Sequence, residues 1–210
     1  MVIFDRMEAW KMQSENISVE TFDMGNIPLM LDVLTPMWCA PYGDEEYRRF
    51  SVENIVRNNI FENDYRFQLV DKNDGTFLSA AFFARKTDVN KAAEWLSENF
   101  KYPDDAMIPL RLSTEYIDIM DERTRSLMKE SDIQMTLFVS RKSGSGSILL
   151  ESVLERLRGE GWKNLFLWTD CDCNWEWYVR HGFSLLSKEE YERFSEGDDK
   201  YWTYIFKRGI

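Results

Sequence analysis

The run Arg141-Lys142-Ser143-Gly144-Ser145-Gly146-Ser147 has the residue types and spacing of a phosphate-binding turn. It lies between an apolar, strand-like run and an amphipathic, helix-like one. Two glycines one residue apart let the main chain turn freely and approach a ligand closely. Two cations and three hydroxyls surround them. Main-chain N–H groups converging at a helix N-terminus bind phosphate oxygens well. The segment therefore reads as a cradle for a pyrophosphate, which leaves the nucleotide to be identified.

Three patterns compete. A Walker loop, G-x-x-x-x-G-K-[ST], fails because no Lys follows Gly146. A dinucleotide fingerprint, G-x-G-x-x-G/A, fails because Leu149 stands where a small residue is needed, although Asp170 lies near the end of the next strand. The third, [Q/R]-x-x-G-x-[G/A] after a strand and opening a helix, is met in full by Arg141-x-x-Gly144-x-Gly146.

That third pattern resembles the acyl-CoA loop of the GNAT superfamily of N-acyltransferases. Downstream, Tyr178-Val179-Arg180-His181-Gly182-Phe183 is similar to the family's Y-x-x-x-G-F signature, at the family's distance. The convincing part runs from Ile133 to Phe206; from Asn16 to Lys86 the likeness is one of pattern. The resemblance implies an α/β (α+β) fold, a mixed, twisted sheet flanked by helices, as one domain over 1–210. It implies transfer of an acyl group, acetyl first, from acyl-CoA to a primary amine of unknown identity. Acetyl-CoA is then the co-substrate, with no metal. The partners expected are acyl-CoA and an amine acceptor, with no nucleic acid and no membrane, and with a homodimer left open.

By the same resemblance, Arg141, Lys142, Ser143, Gly144, Ser145, Gly146 and Ser147 hold the CoA pyrophosphate. Phe138 and Val139, at the end of the preceding strand, line the acyl-CoA site. The Val139 N–H is the expected donor to the thioester oxygen as charge develops there. Many relatives carry a few more residues, often with a proline, between that valine and the loop. The abrupt Val139-Ser140-Arg141 leaves the donor's register open by a residue or two. Tyr178 corresponds to the general acid, since a phenol within reach of sulfur can protonate the departing thiolate. Asp172 stands at the family's asparagine position and Asn174 two residues later. Asn174 then either contacts the pantetheine arm or caps the next helix.

No general base announces itself. Asp170 and Glu115 are the two carboxylates placed to act as a base or to join a water chain. His181 reads as a surface or capping residue. Cys171 and Cys173 read as small buried side chains, and Trp175 and Trp177 as packing for the short helix. A non-catalytic CoA-binding or partner-binding module with the same fold is the rival reading, and another nucleotide-binding α/β protein is the third.

The elements that must position these residues follow from periodicity. A weak strand is expected over Asn16 to Thr21. A helix capped by Asn26 should run to Met37, and a second, capped by Asp44, toward Ile60. Phe67 to Val70 and Phe77 to Ala84 form a hairpin about the turn Asp71-Lys72-Asn73-Asp74-Gly75. Ala92, Ala93, Leu96 and Phe100 have helical spacing, and Tyr116 to Met128 reads as a charged helix. Residues 87–131 thus form a helical insertion in an acceptor-side half, 1–132. The acyl-CoA half, 133–210, opens with a strand to Val139. A helix over Ile148 to Leu157, a buried strand Leu165 to Trp168, a short helix to Arg180 and a final strand, Tyr201 to Phe206, complete it.

A net charge of −11 argues against nonspecific binding to nucleic acid or an anionic membrane, where a basic surface is expected. It serves solubility first and suits a cationic small substrate second. With 44% hydrophobic and 15% aromatic residues, the 210-residue chain has ample material for a core. Three cysteines, Cys39, Cys171 and Cys173, make no disulfide framework, and His181 is the sole histidine, too few ligands for structural zinc. Met1 to Glu8 lacks the apolar core of a signal peptide, and no run approaches the ~18 apolar residues of a membrane span. A cytoplasmic location is the expectation.

Overall fold

The computed structural model describes residues 16–38 and 43–210; Cys39 and the segment Met1 to Glu8 lie outside them. One seven-stranded sheet runs through both halves. Its strands are β1 (Ile17–Thr21), β2 (Arg66–Asp71), β3 (Phe77–Arg85), β4 (Asp132–Ser140), β5 (Asn164–Asp170), β6 (Ser184–Glu190) and β7 (Trp202–Gly209). They lie in the order β1-β2-β3-β4-β5-β7-β6, with β4–β5 parallel and the other neighbours antiparallel. The helices are α1 (Ile27–Trp38), α2 (Glu45–Asn58), α3 (Ala92–Asn99), α4 (Met107–Ser126), α5 (Ser145–Gly159) and α6 (Trp175–Arg180). Among the described residues no helix is long and apolar enough to cross a membrane.

Two faces of the sheet carry different helices. The apolar stripe of α5, Leu149, Leu150, Val153, Leu154 and Leu157, packs on Phe67, Ile133, Leu165, Leu167 and Phe206. On the opposite face α1 and α2 cover Phe82, Leu137 and Val139 through Met30, Leu34, Val52 and Val56. The inserted helix α4 continues that second layer over Ile205 and Trp168 through Tyr116 and Met120. Alternation along β5 explains its unbroken apolar run: Leu165 and Leu167 face α5, while Trp168 faces α4.

The strand that matters most is β4. Phe82 pairs with Leu137 but Phe83 with Met135, so Thr136 is an extra, bulged residue, and its hydroxyl donates to the Asn59 carbonyl at 2.8 Å. The bulge switches the alternation. Ile133 and Met135 face α5 before it; after it Phe138 does, and Leu137 and Val139 turn toward α1. Beyond the bulge β4 also leaves β5. Their pairing covers Asp132 to Gln134 against Asn164 to Phe166 and then ends, so the last residues of the two strands diverge.

Most expected elements are present, with three differences. Asn26 does not cap α1: it donates to the Gln68 side chain (2.8 Å), and Asp23 caps the preceding turn instead. The charged helix starts at Met107, ahead of Tyr116. Strand β6, Ser-Leu-Leu-Ser-Lys-Glu-Glu, carries no apolar alternation because it is a largely exposed edge. Asp44 does cap α2, accepting from Tyr47 N–H at 2.8 Å.

Candidate functional site

Each loop glycine has its own reason. Gly144 sits at φ +83°, the left-handed region that side chains resist. Gly146 has ordinary backbone but no room: a Cβ there would lie 3.0 Å from Phe138 Cζ and 3.3 Å from Ser140 Cβ. The first turn of α5 thus rests directly on the end of β4.

The loop braces itself and leaves donors over. Ser145 buries its hydroxyl against the carbonyls of Lys142 (2.7 Å) and Leu78 (3.1 Å). Its N–H turns back to Lys142 C=O (3.1 Å), and Ile148 N–H reaches Gly144 C=O (3.4 Å). The Gly144, Gly146 and Ser147 N–H groups have no protein acceptor among the described residues. Arg141 and Lys142 are exposed beside them. A cleft of about 600 Å³ runs from Lys142, Gly144 and Ser147 past Ile148 to Asn16 and Asp71. Open amides, the positive end of a helix and two exposed cations are the donor set a diphosphate requires.

The opening between β4 and β5 adjoins this loop. Arg141 N–H donates to Leu78 C=O at 2.8 Å. The alternating antiparallel ladder therefore also turns the Val139 N–H toward β3, opposite its partner Ala80, and turns the Phe138 and Ser140 N–H groups toward the opening. The register left open by the sequence resolves away from Val139: its amide is committed to the sheet.

The roof of the opening is aromatic. Trp177, on α6, packs on Phe138 with ring centroids 5.2 Å apart, and His181 stacks on Trp177 at 3.7 Å. His181 Nδ1 donates to the Trp177 carbonyl (2.8 Å), so Nε2 accepts from the Ser147 hydroxyl (3.0 Å). His181 thus takes the capping role of the two expected for it, as the C-cap of α6, and also braces that helix against α5. Trp175 stacks on Tyr204 at 5.1 Å. Asn174 occupies the N-cap position of α6 without a side-chain capping bond, and is exposed.

Tyr178 lies among Trp177, Phe183 and Phe206. Burial, reinforced by Cys173 and Asp170, holds its phenol well above the usual range, so it is a proton donor at neutral pH. Burial and then Asp170 push the Cys173 thiol up to about 12, which makes it a poor nucleophile. Asp170, 8% exposed, ends β5 on the α4 side and accepts from the Tyr116 hydroxyl at 3.3 Å. Glu115 is on the surface in an ion pair with Arg193 (2.8 Å) and is not part of this cluster. Tyr116 and Tyr201, which complete the cluster, were not legible as site residues: each has an aromatic's ordinary packing signal, and only the fold brings them to Asp170.

No protein-family model and no curated protein matches the sequence. Solved structures do match its fold. The C-terminal condensation domain of Ebony, in complex with beta-alanyl-dopamine, superposes with a TM-score of 0.56 at 9% identity, covering 92% of this chain and 99% of that one. A GCN5-related N-acetyltransferase from Kribbella flavida gives 0.53 at 13% identity over 94% and 99%. The ribosomal-protein-S18-alanine N-acetyltransferase of Escherichia coli gives 0.51 at 11% identity over 92% and 94%. With its strand order, the bulged and diverging β4, and the glycine turn that opens α5, the chain has the fold of the GNAT N-acetyltransferases.

Proposed function

We propose that this protein transfers an acyl group, acetyl in the first instance, from acyl-CoA to a primary amine in the cytoplasm. The observation that carries the reading is the set of amides at Gly144, Gly146 and Ser147 that no acceptor among the described residues meets, set beside the opening where β4 and β5 part.

Arg141 to Ser147 hold the pyrophosphate of CoA, with the amides as donors and the two cations as counter-charge. The pantetheine arm enters between β4 and β5, past Asn174, beneath Trp177. The Phe138 N–H, in place of that of Val139, polarises the thioester carbonyl. The amine nitrogen forms the C–N bond as the C–S bond breaks, and Tyr178 protonates the departing thiolate. The proton left on nitrogen restores the phenol.

Melting the protein with acetyl-CoA, longer acyl-CoAs, ATP and NAD tests the first half of this reading. A ligand at a hundred times its Kd stabilises by about 2.7 kcal/mol. Acetyl-CoA should raise Tm most. Thiol release across a panel of primary amines, with mass spectrometry of the products, tests the second half. A larger shift with ATP or NAD, or no thiol release with any amine, would refute the proposal.

A further inference from the structure

Asp170 is a buried carboxyl whose neighbours are all neutral or acidic. The residue is 8% exposed; Oδ2 accepts from Tyr116, the Tyr201 hydroxyl and the Cys173 thiol also stand against the carboxyl, and no donor is aligned on buried Oδ1 among the described residues. The ionisable groups that face it from each packed element are Tyr116 on α4, Asp172, Cys173 and Tyr178 after β5, Tyr201 just before β7 and Tyr204 on it. All of them are acids. A buried carboxylate that no cation among the described residues faces is costly unless something else supplies the charge.

The walls around it are aromatic. Tyr116 meets Trp168 at 5.4 Å, Tyr191 at 4.8 Å, Phe194 at 5.1 Å and Tyr201 at 6.1 Å. Burial and the Asp170 charge hold the Tyr116 and Tyr201 phenols protonated. Aromatic faces beside a carboxylate attract an alkylammonium. The position fits as well. Trp168 and Tyr116 pack in the layer covered by α4, while Tyr178 packs with Phe183 and Phe206 on the α5 side. Asp170 and Tyr178 therefore reach the end of the opening from opposite faces of the sheet.

We infer that Asp170 is the catalytic base, receiving the acceptor as a primary ammonium on apolar carbon, with inserted helix α4 forming the wall of that site. The inference rests on the acyltransferase reading and names its acceptor class. The ammonium gives one proton to Asp170 Oδ1, and the freed lone pair forms the C–N bond. The thiolate takes the Tyr178 proton, the second amine proton restores Tyr178, and Asp170 returns its proton to solvent once the product has left.

The test is equilibrium binding of butylammonium, phenethylammonium and diprotonated 1,4-diaminobutane, with butanol as the neutral control, each with and without saturating acetyl-CoA. At least one ammonium should bind the wild type about tenfold or more tightly than butanol. Asp170→Asn should weaken that ammonium about tenfold or more while leaving the acetyl-CoA affinity unchanged. Should Asp170→Asn fail to fold, the ammonium-to-butanol ratio of the wild type decides alone. Equal binding of ammonium and butanol, or equal ammonium binding by wild type and variant, overturns the inference while acetyl-CoA binding leaves the acyltransferase reading standing. Failure of acetyl-CoA to bind overturns that reading instead, whatever the amines do.

Discussion

Asp121 of α4 accepts the Trp168 indole N–H at 2.7 Å, and the same oxygen accepts Gln134 Nε2–H at 2.7 Å. Gln134 is the last residue of β4 paired with β5, and Trp168 stands two residues beyond the last paired residue of β5. The inserted helix therefore stitches the two strands where their own ladder stops. The carboxylate is buried, at 6% exposure, with Arg125 at 3.6 Å. The opening is held apart by a polar strut rather than by a gap in packing.

This strut has a pH signature. Burial raises the Asp121 carboxyl above its ordinary value, and the Trp168, Arg125 and Gln134 contacts only partly oppose that. Above the unfolded-state value near 4, the folded state holds this proton more tightly than the unfolded one. Charging Asp121 then erodes stability as pH rises. Asp121→Asn keeps an acceptor oxygen and loses the charge. Its Tm relative to wild type should climb as pH rises above about 4, as followed by circular dichroism. A constant or falling difference would refute the assignment. Asp121→Leu should be far worse at every pH, because it strands two buried donors at ~1–3 kcal/mol each.

The two loop glycines should fail differently. Gly144→Ala meets no neighbour within 4 Å, so only the left-handed backbone resists, at about 1 kcal/mol. Gly146→Ala pushes a methyl group against Phe138 and Ser140, which must give by a few tenths of an ångström where α5 rests on β4. We expect Gly146→Ala to lose about tenfold in acetyl-CoA affinity or more, and Gly144→Ala less, with both affinities read by calorimetry. The reverse order would mean that the close approach of helix to strand is not what positions the amides.

These glycines also show what a sequence displays and what it hides. The turn was legible because its requirements are local: a φ only glycine accepts, and amides at a helix start. The strand pattern was legible for the same reason, since Leu165 to Trp168 is apolar on both faces wherever it packs. The donor amide was not. Whether Val139 or Phe138 faces the opening depends on the bulge at Thr136 and on pairing with β3, a partner more than fifty residues away in the chain. Tyr116 was hidden likewise, because a helix period says which face is buried but not that Asp170 lies beneath it. For His181 the capping role was legible but the bond to Ser147 was not, because only the packing of α6 against α5 brings the two together.

Tyr178→Phe separates an enzyme from an inert module of the same fold. The ring keeps its contacts with Phe183 and Phe206, and only the hydroxyl is lost. Steady-state turnover with an amine that supports it should fall tenfold or more, about 1.4 kcal/mol in the barrier. Acetyl-CoA affinity should stay within about threefold, because the phenol acts on the leaving group and not on the bound thioester. Unchanged turnover would remove Tyr178 from the chemistry.

The brace between Ser147 and His181 bears on how acyl-CoA gets in. The Phe138–Trp177 contact roofs the opening, and the Ser147–His181 bond ties that roof to the helix that carries the phosphate amides. Pantetheine must part the first, and the second resists the parting. A neutral hydrogen bond contributes about 0.5–1.5 kcal/mol, which is roughly three- to tenfold in an opening equilibrium. Ser147→Ala removes the bond and leaves the Ser147 amide in place. Stopped-flow quenching of tryptophan fluorescence should therefore show acetyl-CoA associating about threefold or more faster with the variant, because a larger fraction of molecules is open at the encounter. His181→Phe, which keeps a ring over Trp177, should give the same gain. Slower or unchanged association in both variants would show that the roof opens without breaking this bond, and would leave the pairing a purely structural tie between α5 and α6.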